Sequence, residues 1–202
     1  MKEKLKKLTE YYGLYNYWKE EVANLEKKNE EFDVMDLDDT LFSVQERLQS
    51  DEIFQKNRGE KWNLLIANKL GIKKVIGKYY KGKVFPKDLI NSVNQHKSLI
   101  LTAGLREYQE EKVKHMWIDH FNMVVTETWE DKIIALIRYV IFDLKYIPAR
   151  ITVYEDRPQY FIEYRDLIED ILWTKLEIMY VEMDWNTWYK KIQIIEWDSF
   201  DF

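Results

Sequence analysis

The sequence predicts an α/β protein in which helices cover both faces of a mainly parallel, five-stranded sheet. Apolar runs of strand length alternate with helix-like segments through most of the 202-residue chain, and the joints between them are short. The runs are also apolar at nearly every position, as the strands of a parallel sheet are when both of its faces are buried. The predicted architecture is therefore a Rossmann-like three-layer α/β/α sandwich.

The predicted strands and helices follow a regular order along the chain. The strands are the apolar runs at residues 32–37, 98–103, 121–126, 149–155 and 176–183. Helix-like segments occupy residues 106–120, 130–144 and 159–173. Residues 2–31 are predicted to form one amphipathic helix, because apolar residues recur there at three- and four-residue steps: Leu8, Tyr12, Tyr15, Trp18, Val22 and Leu25.

This order suggests two parts of unequal size. Residues 1–31 form an N-terminal helix, and residues 32–202 form the α/β domain. The span 43–97, between the first two strands, is too long for one crossover helix, so we expect a small insertion or cap there. Such an insertion would lie over the carboxyl end of the sheet, where open α/β sheets bind their ligands.

Composition limits the classes of protein to consider. With 46% hydrophobic residues the chain can bury one core, and with no cysteine it has neither disulfides nor thiolate chemistry. No apolar run is long enough to span a bilayer, and residues 1–22 contain no uninterrupted apolar segment of the signal-peptide type. The net charge of −5 gives no overall attraction to nucleic acid. We therefore expect a cytoplasmic protein without membrane contacts.

The end of the first strand carries an unusual group of polar residues. The run "FDVMDLDDTLF" places Asp36, Asp38 and Asp39 directly after apolar residues, and Thr40 follows at once. Asp and Thr also end strands and cap helices without any further role. The motif alone favours neither interpretation, because short motifs match by chance.

Polar residues follow three later strands in the same way. Thr102 ends the second strand beside Ala103, and Lys132 follows the third at the start of a helix. The fourth strand ends in the adjacent acids Glu155 and Asp156. Taken singly, these residues are explained by helix capping or by solvated surface charge. Two neighbouring carboxylates repel each other, however, unless a cation lies close to them.

The order of these motifs resembles the haloacid dehalogenase (HAD) superfamily of phosphohydrolases, over residues 32–183. The resemblance implies that Asp36 is the nucleophile and Asp38 the general acid and base, with Thr40 fixing the loop geometry. It further implies two groups of binding residues. Those expected to bind the phosphoryl group are Thr102, Ala103 and Lys132. Those expected to hold Mg²⁺ are Asp36, the backbone carbonyl of Asp38, Glu155 and Asp156. Glu155 stands where the family more often has Asp.

The segment after the fourth strand suggests a substrate. "EDRPQYFIEYR" resembles a motif of the 3′-phosphatase domain of polynucleotide kinase/phosphatase and its RNA-repair-like relatives. The resemblance implies that Arg157 and Arg165 contact a nucleic-acid end. The alternative is that Arg165 pairs with Glu169 four residues later, and that Phe161 and Tyr164 belong to the core.

A basic stretch within the predicted insertion bears on the same question. Residues 72–87 contain six lysines and no acid, interleaved with aromatic residues. Lysines neutralise backbone phosphates and aromatic rings stack on bases, so this composition suits single-stranded nucleic acid. The residues expected to contribute are Lys78, Tyr79, Lys81 and Lys83. A solvated, lysine-rich loop is the simpler interpretation.

Three functions are therefore open at this point. The first is an Mg²⁺-dependent phosphatase that removes a 3′-phosphate from a nucleic-acid end. The second is a phosphatase of the same superfamily for a nucleotide, another small phosphoester or a phosphoprotein. The third is a binding protein without catalytic activity, which the presence of both Asp36 and Asp38 disfavours.

Overall fold

The computed structural model describes residues 2–41, 71–79, 97–182 and 190–194. Within these ranges six strands form one sheet in the order β3-β2-β1-β4-β5-β6. The first five strands are parallel to their neighbours, and β6 pairs with β5 in the antiparallel direction. The strands are β1 Lys27–Met35, β2 Ser98–Ala103, β3 Asn122–Thr126, β4 Ile147–Glu155, β5 Lys175–Glu182 and β6 Lys190–Ile194. The predicted five-stranded parallel sheet is confirmed, with one antiparallel edge strand added.

The described helices are α1 Lys2–Ala23, α2 Ile72–Tyr79, α3 Arg106–His115, α4 Asp131–Arg138, α5 Gln159–Glu163 and α6 Arg165–Leu172. Five of them lie within segments that the sequence pattern predicts to be helical, whereas α2 lies in the basic stretch 72–87, which was expected to be a loop. A π-helical segment, Tyr139–Leu144, continues α4. The single helix predicted over 159–173 is divided into α5 and α6 at Tyr164, whose φ of −106° and ψ of 13° depart from helical values.

Side chains of the central strands alternate between two apolar clusters, one on each face of the sheet. Val34 belongs to the first cluster, with Trp18 of α1 and Ile133 of α4. Met35 belongs to the second, with Ile76 of α2. Because successive strand residues point to opposite faces, this division shows helices packed on both sides of the sheet. The result is a three-layer arrangement.

The predicted N-terminal helix is wrong beyond Ala23, where α1 ends. Residues Lys27 to Glu31 instead form the first half of β1 and pair with β4, Lys27 with Ile147 and Glu31 with Arg150. The charged sequence "KKNEE" has no apolar residue that would mark it as a strand, so only the pairing with β4 determines its conformation. The boundary predicted at residue 31 therefore lies inside a strand.

Helix α1 is also part of the core, as its position on the sheet requires. Trp18 and Val22 are 1% and 0% exposed and belong to the same cluster as Phe32 of β1. The second half of α1 is therefore continuous with the α/β domain in its packing.

Most of the predicted insertion lies outside the described residues, including the helix-like segment before residue 71 and both Lys81 and Lys83. Helix α2 packs its buried Ile76 into the cluster that contains Tyr108 and Val113 of α3. Across the described ranges, no helix is both long enough and apolar enough to span a membrane.

Candidate active site

Asp36 lies at the carboxyl end of β1, in the middle of the sheet. The register pairs Met35 of β1 with Tyr154 of β4, and the Asp36 backbone N–H donates to the Tyr154 carbonyl at 2.9 Å. Asp36 therefore stands beside Glu155, the next residue of β4. Because β2 and β4 flank β1 on opposite sides, this position is the topological switch point of the sheet, where open α/β folds bind ligands.

The loop after Asp36 is anchored in the core. Leu37 and Leu41 are fully buried, and the Leu41 N–H donates to the Leu37 carbonyl at 3.1 Å. Asp39 adopts a left-handed conformation with a φ of 58°, which Asp tolerates better than most residues. Thr40 is completely buried, and among the described residues its hydroxyl has no hydrogen-bond partner. Thr40 therefore contributes to the loop through packing.

Lys132, in the first turn of α4, bridges two buried carboxylates. Its ammonium donates to Asp36 Oδ1 at 2.7 Å and to Glu155 Oε2 at 2.8 Å, and the residue is only 4% exposed. Burial by itself lowers the pKa of Lys132, but Asp36 and Glu155 raise it, and the net pKa lies above its ordinary value. Lys132 is thus a fixed positive charge between the ends of β1 and β4.

Three carboxylates lie close together at this point, and Lys132 binds two of them. Asp36, Glu155 and Asp156 each offer an oxygen, and these atoms lie within 4.8 Å of one another. Burial is the largest cause that raises the pKa of each, and repulsion between the carboxylates is a further one, so that the pKa of each lies at about 7: Glu155 acts on Asp36, and Asp36 acts on Asp156. A bound cation would favour the ionised forms of these acids. The three oxygen donors fit a hard divalent cation such as Mg²⁺.

Asp38 faces a different set of partners. Its side chain is 42% exposed, Lys112 Nζ lies 2.5 Å from its Oδ1, and Gln109 Nε2 donates to its Oδ2 at 2.9 Å. Both oxygens are therefore held by α3, beside the three-carboxylate group. Asp38 and Asp36 nevertheless line the same cleft.

Gln109 and Lys112 were not predicted as site residues from the sequence. They are 3% and 2% exposed, and the Lys112 ammonium also lies 4.6 Å from the centre of the Tyr108 ring. In "REYQEEKVKH" they look like ordinary surface residues, since exposed Lys114 has the same chemistry only two positions later. The only available signal is their spacing of three, which places them on one face of a helix that follows a candidate site strand.

Thr102 and Ala103 end β2 close to Gln109. Gln109 Nε2 donates to Thr102 Oγ1 at 3.2 Å and to the Ala103 carbonyl at 2.8 Å. Thr102 is 1% exposed, whereas Ala103 lines the cleft. Gly104 follows with a φ of 130°, and a Cβ there would lie 3.3 Å from Gln109 Nε2. The glycine therefore permits both the turn and the close approach of Gln109.

Arg157 lies at the mouth of the cleft, whose volume is about 200 Å³. Its guanidinium lies 4.4 Å from the centre of the Trp129 ring, and its Nε lies 3.5 Å from Asp156 Oδ2. Tyr160 lines the same cleft. The sequence analysis did not select Trp129 or Tyr160, because a single aromatic residue in a chain with 8 Trp and 14 Tyr carries no signal of its own.

The remaining predicted substrate residues lie elsewhere or are not described. Arg165 Nε lies 3.5 Å from Glu169 Oε1, the pairing considered as the alternative, and Arg165 does not line the cleft. Phe161 and Tyr164 are buried in the core. The backbone at Lys78 and Tyr79 belongs to α2, but their side chains lie outside the description, as do Lys81 and Lys83 entirely.

Comparisons of this chain with protein-family models, with curated proteins and with solved structures found no significant match. The case for a function therefore depends on the residues and geometry of this chain.

Proposed function

We propose that this protein is an Mg²⁺-dependent phosphohydrolase of the HAD type, which cleaves phosphomonoesters through an aspartyl-phosphate on Asp36. The observation that supports it best is the position of Asp36. It is a buried carboxylate at the switch point of the sheet, held by Lys132 and flanked by Glu155 and Asp156. A carboxylate held in one orientation beside a fixed cation suits nucleophilic attack on an anionic phosphoryl group.

In the first step an oxygen of Asp36 attacks phosphorus, and the bond from phosphorus to the ester oxygen breaks. Lys132 already binds Oδ1 of Asp36 at 2.7 Å, so Oδ2 is the oxygen assigned to attack. Protonated Asp38 donates its proton to the departing oxygen. In the second step Asp38 takes a proton from water, which attacks the aspartyl-phosphate and releases inorganic phosphate and free Asp36. During the cycle an oxygen of Asp38 leaves Gln109 or Lys112 in order to contact the ester oxygen or the water.

Asp36 and Asp156 are the residues assigned to hold Mg²⁺, with Glu155 oriented beside them by Lys132. When bound, the metal supplies positive charge that reduces the repulsion between the carboxylate nucleophile and the phosphoryl group. Thr102 and Ala103, at the end of β2, are assigned to the phosphoryl oxygens together with Lys132. Binding of substrate then requires Gln109 to release or share Thr102 Oγ1.

For the substrate we propose a terminal 3′-phosphate of a nucleic acid, on the basis of the motif around Arg157 and the basic stretch 72–87. The exposed guanidinium of Arg157 at the cleft mouth supports this choice, because it is available to a second phosphate. The absence of cysteine from the chain supports a cytoplasmic location as part of the same proposal.

The test is phosphate release from a 3′-phosphorylated oligonucleotide and from p-nitrophenyl phosphate, each with Mg²⁺ and with EDTA. We expect Mg²⁺-dependent release that is abolished by Asp36→Asn and retained by the matched control Asp119→Asn, an exposed acid. Release from p-nitrophenyl phosphate alone would keep the chemistry and contradict the nucleic-acid substrate. Release that Asp36→Asn leaves intact would contradict the mechanism.

A further inference from the structure

Three residues with flat side chains form what we call the rim: Trp129, Arg157 and Tyr160. All three line the cleft that contains Asp36. Trp129 lies in the loop between β3 and α4, whereas Arg157 and Tyr160 follow β4. The rim therefore joins the segment between β3 and α4, next to Lys132, to the segment that follows β4, next to the acidic pair. It stands beside the candidate chemistry and has no part in it.

The rim is assembled without any ligand. The Arg157 guanidinium lies 4.4 Å from the centre of the Trp129 ring, a distance typical of a cation–π contact. Burial is the largest cause that raises the pKa of Tyr160, and Glu130, the neighbour of Trp129, raises it further and so makes a second connection between the two segments. A binding surface whose side chains are already ordered loses less conformational entropy when a ligand arrives.

The rim also leaves a large aromatic surface exposed. Trp129 is 46% exposed although one face of its ring is near Arg157. Trp117 and Trp173 are also exposed, but they follow α3 and α6 and precede the amino ends of β3 and β5, and neither lines the cleft. Trp129 is thus the exposed tryptophan, among the described residues, that a bound substrate would meet.

The size of the cleft indicates that only part of a substrate is enclosed. Its volume of about 200 Å³ is smaller than the roughly 300–1,000 Å³ of pockets that enclose most of a small ligand. A phosphoryl group at Asp36 and the atoms attached to it occupy the interior. The remainder of the leaving group then lies against the rim.

We propose that this leaving group is a nucleoside whose base stacks on Trp129 and the guanidinium of Arg157. Every nucleobase offers a flat π-face, and such faces stack on indole rings and on guanidinium planes. In a nucleotide the sugar separates the base from the phosphate. The phosphate can therefore lie inside the cleft while the base lies at its mouth. The ring of an aryl phosphate is attached directly to the scissile oxygen and would lie inside. This inference rests on the proposed phosphohydrolase function.

The nucleoside can belong to a mononucleotide or to the end of a strand, and two matched substrate pairs separate these sources. The first pair is adenosine 5′-monophosphate and ribose 5-phosphate. The second is a 3′-phosphorylated oligonucleotide with and without its terminal base. In at least one pair we expect kcat/KM to favour the member with the base by about tenfold, as a single base–aromatic stack provides.

Trp129→Leu is expected to reduce that preference to less than about threefold, because it removes the stacking surface. The matched control is Trp173→Leu, since Trp173 has nearly the same exposure, 48%, and lies before the amino end of β5, away from the cleft. The control should keep the preference of the wild-type protein. Equal kcat/KM within both pairs, or a preference that survives Trp129→Leu, would overturn the inference and leave the phosphatase activity established.

A binding measurement separates this inference from the proposed chemistry. Calorimetric titration of the Asp36→Asn protein with Mg²⁺ present compares the two members of the pairs without turnover. We expect at least tenfold tighter binding of a member with its base, lost when Trp129→Leu is added. If the protein binds in this way but its wild-type form hydrolyses none of these esters, the result would support base binding at the rim and contradict the phosphatase function. Equal affinities of the members with and without a base would overturn the proposal that the rim binds a base.

Discussion

Lys132 binds Asp36 and Glu155 through a single ammonium and is almost completely buried. Lys132 stabilises the fold because, without its ammonium, Asp36 and Glu155 would be acidic groups buried beside one another with no cation. The sequence predicted Lys132 near the start of the helix that follows β3, and it lies in the first turn of α4. Its two simultaneous contacts depend on the position of α4 relative to the ends of β1 and β4.

Replacing Lys132 tests this arrangement through stability. Lys132→Met keeps most of the volume of the side chain and removes the charge, so in metal-free protein we expect a loss of about 3 kcal/mol in the free energy of unfolding. Urea denaturation measures it. The control is Lys114→Met, which changes an exposed lysine of α3 and should alter stability by less than about 0.5 kcal/mol. Equal effects of the two substitutions would contradict a structural role for the Lys132 bridge.

Lys112 offers a second test at the same scale, this time of activity. It lies 2.5 Å from Asp38, whose half-exposed carboxylate can be solvated when the lysine is removed. We therefore expect Lys112→Met to cost only about 1 kcal/mol of stability. The kcat for phosphate release should fall about tenfold or more, because Asp38, the carboxylate proposed to transfer the proton, is no longer held in position.

The ratio of the two effects decides the role of Lys112. A fall in kcat with little change in KM and in melting temperature indicates that Lys112 positions Asp38. A melting temperature that falls while kcat is retained would show that the residue serves the fold alone. Lys114→Met is again the matched control, on the same helix and exposed.

At the scale of elements, a local sequence pattern determines that α1 is a helix, whereas a tertiary contact determines where β1 begins. The three- and four-residue spacing of apolar residues correctly predicts α1, and two residues of this spacing, Trp18 and Val22, belong to the core. The same spacing does not reveal where the helix ends. Lys27 to Glu31 join a strand because β4 offers them a parallel partner.

Trp18→Ala measures how strongly α1 is bound to the domain. Trp18 is 1% exposed in the cluster that also contains Phe32 and Ile168, so its truncation should cost about 3–5 kcal/mol. Tyr17→Ala is the neighbouring control, at 47% exposure. Chemical denaturation of both proteins makes the comparison. A small, equal effect of both would mean that α1 is dispensable to the core.

At the scale of the whole molecule, the strand order brings the candidate site together. The chain runs from β1 to β2 and β3 on one side and then crosses to β4 on the other, so β1 and β4 end side by side. Asp36 and Glu155 are thereby neighbours although 118 residues of chain lie between them. The concentration of negative charge at this point opposes folding unless cations offset it.

Mg²⁺ should therefore stabilise the folded protein as a whole. At a concentration about 100 times its Kd, we expect about 2.7 kcal/mol of stabilisation, or a melting temperature higher by about 5–10 °C. Differential scanning calorimetry with Mg²⁺ and with EDTA measures the shift. Asp156→Asn should reduce it strongly, whereas Asp119→Asn should not. A melting temperature that Mg²⁺ leaves unchanged in the wild-type protein would contradict the metal assignment.

By itself, the sequence determined what is local: the α/β class, most helices, and the polar residues that end each strand, including Asp36, Lys132 and the pair Glu155 and Asp156. These follow from periodicity and from residue type, which need only neighbouring positions. The tertiary structure decided what depends on distant partners. It placed β4 beside β1, began β1 at Lys27, and buried Gln109 and Lys112 against Asp38. The identity of a polar residue on a helix does not show whether its side chain faces water or a carboxylate. Only the packing of the helix in the folded protein determines this.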